Sequence, residues 1–175
     1  MQKNDQQQND QQRVFDQWLS SHEGLFYKVV RAYAFTPQDQ EDLFQEIATR
    51  VWRSIPSFRG DAAVATWIYR VALNTAITWS QAERRQREGT QSLDGEPPLK
   101  LRPSPTVDPR VEWLYEQIRQ LSEVDRSLTL LLLDGFSYKE MASMLGMTEN
   151  YVGVKINRIK AHLTSKSREE IRNEV

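Results

Sequence analysis

The sequence contains no cysteine, so disulfide frameworks, thiolate metal sites and cysteine nucleophiles are excluded. It has no run of about 18 consecutive apolar residues, the length that a membrane-spanning helix needs, and its first twelve residues lack the apolar core of a signal peptide. No glycine-rich phosphate loop precedes a Lys-Ser or Lys-Thr pair, and His22 and His162 stand alone, so neither ATP-driven chemistry nor a histidine-based metal or catalytic site is indicated. We therefore expect a cytoplasmic chain that is not an enzyme, needs no cofactor and does not insert into a membrane.

A large excess of charge of one sign is also absent, because 23 Lys and Arg face 24 Asp and Glu. The charge is nevertheless segregated along the chain. The net charge is −4 over residues 1–49, +4 over 50–90, −4 over 91–149 and +3 over 150–175. Because fields near a protein surface are local, the two basic stretches predict two separate contacts with a polyanion. The alternative is that both are ordinary solvated faces.

Apolar residues recur at helical spacing along most of the chain, and no segment alternates as a strand hairpin does. Residues 1–11 are rich in Gln, Asn and Asp and predict a disordered leader. Residues 12–88 predict a helical domain, with a helix start at Thr36-Pro37. Residues 89–109 hold five of the seven prolines and predict a flexible linker. Residues 110–166 predict a second helical domain, followed by a C-terminal tail over 167–175, so the fold class is all-α.

A helix-turn-helix is predicted inside the second domain. Residues 137–145 form a short amphipathic helix with the small Ala142 at the expected crossing, and Gly146 follows for the turn. In the next helix one face is apolar and is expected in the core: Val152, Ile156, Ile159 and Leu163. The other face and its flanks are expected to contact duplex DNA: Asn150, Tyr151, Val154, Lys155, Asn157, Arg158 and Lys160. Amide and guanidinium groups can pair with base edges, and lysines can reach phosphates. A helical hairpin packed in a bundle is the alternative.

A second group of aromatic and polar residues surrounds the loop at residues 57–61 and the helix after it. Unpaired bases need ring faces to stack on and polar groups that read their edges. Exposure is expected for Phe58, Arg59, Tyr69, Arg70 and Asn74, whereas Trp67, Val71 and Trp79 have the spacing of core residues.

In their order and spacing these features resemble the bacterial sigma factors of the sigma-70 family. More narrowly, they are similar to its extracytoplasmic-function group, which retains only the second and fourth conserved regions. The resemblance covers residues 12–88 and 110–165. It rests on the run from Asp39 to Glu46, on Trp52, on Phe58-Arg59-Gly60, on the run from Trp67 to Ala72, on Asn74 and on the helix-turn-helix.

The resemblance implies a factor that binds core RNA polymerase and promoter DNA for transcription initiation. The first domain, as region 2, is then expected to bind the clamp helices of the β′ subunit through Asp42, Leu43, Gln45, Glu46, Arg50 and Arg53. The same domain is expected to melt the −10 element and capture a flipped base, using Phe58, Arg59, Tyr69, Arg70 and Asn74. The helix-turn-helix, as region 4, is expected to read the −35 element as duplex beside the β flap. An anti-sigma factor is a further expected partner.

Two other interpretations fit the same residues. A self-sufficient regulator could dimerise through its N-terminal helices and bind a palindromic operator, and a helical adaptor could bind protein alone. The linker favours the sigma-factor interpretation. Promoter elements about one and a half duplex turns apart are separated by roughly 50 Å, and a polyproline-like linker of this length reaches about 65 Å.

Overall fold

The computed structural model describes residues 2–89 and 108–173, and its regular elements there are helices. The elements are α1 (Gln2–Tyr33), α2 (Pro37–Ser54), a 3-10 turn (Ile55–Ser57), α3 (Val64–Gly89), α4 (Pro109–Gln120), α5 (Glu123–Leu133), α6 (Tyr138–Leu145) and α7 (Glu149–Asn173). They divide into two compact units, an N-terminal unit of α1–α3 and a C-terminal unit of α4–α7. The prediction of an all-α fold with two helical domains is confirmed. The predicted linker falls mostly outside the described residues.

In the N-terminal unit, α1, α2 and α3 each pack against the other two. The start of α2 follows the sequence signal, because the Thr36 hydroxyl accepts a hydrogen bond from the Asp39 amide at 3.1 Å and Pro37 occupies the first turn. One stripe of α2, at intervals of four residues, is fully buried: Leu43, Ile47 and Val51. Burial of each such side chain contributes about 1.5–3 kcal/mol.

The predicted disordered leader differs from the structure, in which residues 2–11 are the first turns of α1. No glycine or proline interrupts this segment. The Gln11 side-chain amide connects the end of this segment to α2, because it donates to the Trp52 carbonyl at 2.7 Å. Within α1, Gln12 donates to Asp16 and Arg13 pairs with Asp10. Helix α1 bends at His22, whose φ of −129° is not helical.

The buried arc of α3 also differs from the expected one. Trp67, Val71 and Trp79 are only half-buried, whereas Tyr69 is 2% exposed and Leu73 is fully buried. The reason is that α3 contacts both α1 and α2, so its buried arc is wider than a single stripe. Tyr69 therefore lies in the core, and its predicted exposure is wrong.

The C-terminal unit consists of three short capped helices followed by the long α7. Asp108 caps α4, and its hydrogen bonds from the Arg110 side chain lower the pKa of the Asp108 carboxyl. The buried Arg126 of α5 donates to the Arg119 carbonyl at the end of α4, at 2.6 Å, and so joins the two helices. Both α5 and α6 pack against α7. The predicted C-terminal tail is helical as far as Asn173, supported by a Lys166–Glu169 ion pair one turn apart.

Candidate nucleic-acid interfaces

The helix-turn-helix of the C-terminal unit consists of α6, a glycine turn and α7. A capping box starts α6: Ser137 accepts from the Glu140 amide, and the Glu140 carboxylate accepts from the Ser137 amide at 2.8 Å. Hydrogen bonds from the Ser137 hydroxyl and from the Ser137 amide lower the pKa of the Glu140 carboxyl. Gly146 ends α6 with a φ of +67°, a conformation that suits glycine, and the Thr148 hydroxyl accepts from the Tyr151 amide at the start of α7.

Helix α7 separates core residues from surface residues as the sequence predicts. Val152, Ile156 and Ile159 are buried, and Leu163 is half-buried. Six of the seven predicted contact residues are exposed: Asn150, Tyr151, Val154, Asn157, Arg158 and Lys160. Tyr151 and Val154 are large apolar residues that remain 48% and 44% exposed. This face combines base-pairing amide and guanidinium groups with apolar surface, which is the composition that a major groove accepts.

Lys155 is the member of the predicted set that the structure places differently. Its Nζ lies 3.1 Å from Asp125 Oδ1 on α5, and the two side chains are only 23% and 20% exposed. In the structure the charge of Lys155 therefore faces a carboxylate on α5, a partner that the sequence did not predict, and its contact with phosphates stays a prediction. The sequence shows no sign of this pair, since the partners are 30 residues apart on different helices.

In the N-terminal unit, an aromatic cluster shapes the loop before α3. The Phe58 ring lies edge-on to Trp18, with 5.1 Å between centroids, and contacts Trp67 at 5.6 Å. The Trp67 indole donates to the Ser54 hydroxyl at 2.9 Å. Trp18 is buried, and no local pattern in the sequence indicates that it supports a loop 40 residues further along the chain.

A cavity of about 350 Å³ opens beside this cluster and is lined by Ser57, Phe58, Arg59, Asp61, Ala62, Trp67 and Arg70. We call it the loop cavity. Arg59 and Arg70 are exposed as expected, while Phe58 is half-buried by its contacts with the two tryptophans. The loop cavity thus offers ring surface, two guanidinium groups and one carboxylate, a set that can stack on an unpaired base and bond to its edge.

A larger groove of about 650 Å³ lies between α2 and α3, and we call it the α2–α3 groove. The α2 wall carries Asp42, Glu46 and Arg50, with Arg50 donating to Glu46 at 2.8 Å. The α3 wall carries Asn74, Thr75, Thr78 and Trp79 among others. Asn74 is exposed. In the α2–α3 groove it lies beside Asp42 and Glu46, which the resemblance assigned to polymerase binding and not to DNA. Thr78 and Trp79 were not predicted as site residues.

The predicted polymerase-binding set of α2 is mostly, but not wholly, on the surface. Asp42, Gln45, Arg50 and Arg53 are exposed and Glu46 is half-buried. Leu43 is fully buried, so its side chain cannot contact a partner and this part of the prediction is wrong. The same apolar period that makes α2 a helix places Leu43 in the core. No helix within the described ranges has the length and apolarity needed to cross a bilayer.

Comparison with protein families identifies both units. The family model described as Sigma-70 region 2 matches residues 18–86, and the one described as Sigma-70, region 4 matches residues 111–163. RNA polymerase sigma-H factor of Pseudomonas aeruginosa is 28% identical over 165 residues, which cover 87% of this chain and 86% of the relative. ECF RNA polymerase sigma-E factor of Escherichia coli is 27% identical over 178 residues, with 94% of this chain and 92% of the relative covered.

Solved structures with a similar fold include two protein complexes. The sigma factor RpoE of Bartonella quintana, in complex with the anti-sigma factor NepR, has a TM-score of 0.71 and 20% identity. The match covers 87% of this chain and 96% of that one. CnrH in complex with the cytosolic domain of CnrY has a TM-score of 0.63 and 20% identity, with 90% of each chain covered.

Proposed function

The chain belongs to the sigma-70 family of RNA polymerase sigma factors, in its extracytoplasmic-function group, and we propose that it divides promoter recognition between its two units. The family binds core RNA polymerase and promoter DNA. In this proposal the C-terminal unit reads the −35 element in duplex form, and the N-terminal unit opens and holds the −10 element. The observation that carries the proposal is that each matched segment has its own exposed surface, with side chains that can hydrogen-bond to base edges.

The exposed face of α7 is the proposed −35 surface. Arg158 and Asn157 can each pair with base edges, Val154 can contact a thymine methyl group, and Lys160 can reach a phosphate. The exposure of all four side chains supports this assignment. Because the buried side of α7 is packed in the core of the unit, the surface is complete before DNA arrives.

The loop cavity and Asn74, which follows Arg70 by one turn of α3, form the proposed −10 surface. A base flipped out of the duplex can stack on the aromatic cluster at Phe58, and Arg59 and Arg70 can bond to its edge or to phosphates. Stacking of one base contributes roughly 1–3 kcal/mol, which offsets an unpairing cost of a few kcal/mol. In the proposal, binding energy opens the strands and polymerase contacts supply the remainder.

Polymerase contacts are proposed for the outer surface of α2. The exposed side chains of Asp42, Gln45, Arg50 and Arg53, together with half-buried Glu46, form a mixed charged surface suited to the clamp helices of the β′ subunit. Leu43 and Tyr69 are not part of the proposal because both lie in the core. The β flap is the proposed neighbour of the C-terminal unit.

An inhibitory partner is also proposed. RpoE was solved in complex with the anti-sigma factor NepR, and CnrH in complex with the cytosolic domain of CnrY. The similar fold of this chain supports the proposal that an anti-sigma factor holds it inactive in the cytoplasm.

Reconstituted transcription tests the proposed function. The purified chain is added to core RNA polymerase of its source organism, with genomic promoter fragments as templates, and transcript starts are mapped. We expect transcripts that begin at defined sites and depend on the chain. Tight binding of the isolated chain, as a dimer, to palindromic duplexes without polymerase would instead support the operator-binding regulator. Binding to protein alone would support the adaptor.

A further inference from the structure

The pair between Lys155 and Asp125 connects the recognition helix to the helix behind it. Lys155 Nζ lies 3.1 Å from Asp125 Oδ1 and donates to Oδ2 at 3.4 Å. Both side chains are largely withdrawn from water, at 23% and 20% exposure. Each charge in such a position is stabilised by its partner, because water reaches it poorly. Movement of Lys155 away from Asp125 therefore costs free energy, since it leaves the Asp125 carboxylate unpaired and poorly solvated.

Lys155 also contacts the proposed DNA surface. Its Nζ lies 5.8 Å from the centre of the Tyr151 ring, within the range of a cation–π contact. Tyr151 lies one helical turn earlier and is 48% exposed, in line with Val154 and Arg158 on the recognition face. The ammonium group therefore has a carboxylate on α5 and an aromatic ring on α7 as neighbours.

We propose that Asp125 is a positioning residue for −35 recognition, acting through Lys155 on Tyr151. Asp125 holds the ammonium group beside the Tyr151 ring and away from phosphates, which restricts the ring on the recognition face. Tyr151 then contacts a base pair in a fixed orientation. This inference rests on the proposed function, because it requires that α7 reads duplex DNA.

The salt dependence of DNA affinity differs according to whether Asp125 restrains Lys155 or Lys155 binds a phosphate. Log affinity falls as log salt concentration rises, and each side chain that neutralises one phosphate increases the magnitude of this slope by about 0.9. Slopes are compared by magnitude. If Asp125 restrains Lys155, the wild-type slope contains no contribution from Lys155, and replacement of Asp125 releases that contribution. If Lys155 binds phosphate, as charge on the sequence alone suggests, its own removal lowers the slope.

The experiment measures binding of the holoenzyme to upstream duplexes from a randomised −35 library, at several salt concentrations. For Asp125→Asn we expect a slope steeper by about 0.9. The Tyr151→Ala variant identifies the base pair that Tyr151 reads, because the preference at that position is lost. At this base pair, the ratio of affinities for the preferred and other bases should fall about two- to fivefold in Asp125→Asn, the range of an exposed cation–π contact. For Lys155→Met we expect the same loss of discrimination with an unchanged slope.

Three controls separate positioning from a general loss of structure. Asp125→Glu keeps the charge and should retain the wild-type slope. Lys160→Met removes an exposed lysine of the same helix and should lower the slope by about 0.9 without changing discrimination. Every variant should retain the base preference that depends on Arg158, since that preference reports an intact helix-turn-helix.

The outcomes distinguish the two claims. A slope that falls in Lys155→Met as it does in Lys160→Met, with discrimination intact, would overturn the positioning role and leave the proposed function standing. A wild-type holoenzyme without any base preference in the −35 region would overturn the proposed function, and the positioning role with it.

Discussion

The two units place their contact residues differently with respect to their cores. In the C-terminal unit, α7 has its core residues on one face and its exposed contact residues on the other, so the two sets do not overlap. In the N-terminal unit, Phe58 belongs to both sets, because its ring packs on Trp18 and Trp67 and also lines the loop cavity. A duplex presents a fixed shape, whereas a flipped base must be held by the loop that receives it. Stability and DNA binding are therefore separable in the C-terminal unit and coupled in the N-terminal unit.

Removal of the Phe58 ring should give the largest effect, a loss of stability in the N-terminal unit. A fully buried Phe→Ala change costs about 3–5 kcal/mol, and for the half-buried Phe58 we expect about 2 kcal/mol. Hydrogen exchange resolved by peptide measures the loss, which should be confined to residues 2–89. Arg59→Ala, at the exposed neighbouring position, should leave exchange unchanged. Equal loss of protection in residues 108–173 would show that the two units are not independent.

Arg158→Ala should affect binding and leave stability unchanged. A guanidinium that pairs with a base edge contributes about 1–3 kcal/mol, so holoenzyme affinity for a preferred −35 duplex should fall by that amount. Affinity for a scrambled duplex should change much less. Arg168→Ala alters the same helix beyond the matched segment and serves as the control. An unchanged ratio between preferred and scrambled duplexes would remove Arg158 from base reading.

The smallest predicted effect concerns pH and the capping box of α6. Hydrogen bonds from Ser137 lower the pKa of Glu140 below its ordinary value of 4.5, so the folded unit favours the carboxylate. This stabilisation is present above the ordinary value and is lost as pH falls through the lowered one. Thermal unfolding should therefore show Glu140→Gln less stable than wild type near neutral pH and similar to it in acid.

Thr36→Ala provides the matched comparison in the N-terminal unit. Its hydroxyl caps α2 and does not titrate, so the loss of about 1 kcal/mol should not depend on Glu140 or on acid pH. A stability difference between Glu140→Gln and wild type that stays constant through the acid range would contradict the role assigned to the Glu140 carboxylate.

Local signals in the sequence correctly predicted the start of α2 and both ends of α6. Thr36-Pro37 starts α2, Ser137 starts α6 and Gly146 ends it, because each of these acts on backbone groups only a few residues away. The two faces of α7 were predicted for the same reason, since a helix in a small unit buries one stripe. Of the predicted set on α7, only Lys155 is not exposed, because it pairs with a residue on another helix.

Prediction was weaker where several helices meet. Tyr69 was assigned to the surface because aromatic residues cluster near the loop, but contact of α3 with both α1 and α2 places it in the core. Leu43 was assigned to a binding surface by resemblance, although its own periodicity with Ile47 places it inside. The proximity of Asn74 to Asp42 in the α2–α3 groove depends on how two helices cross, which no local pattern specifies.

Division of the work between the two units is tested most directly by comparing Asn74→Ala and Arg158→Ala in one reconstituted holoenzyme. Upstream protection of the promoter reports −35 binding, and permanganate reactivity of unpaired thymines reports opening of the −10 region. We expect Asn74→Ala to retain upstream protection and to slow opening about tenfold, the effect of losing roughly one hydrogen bond in the transition state for opening. Arg158→Ala should weaken upstream protection and leave the opening rate of bound complexes unchanged. Parallel loss of both signals in both variants would contradict the division.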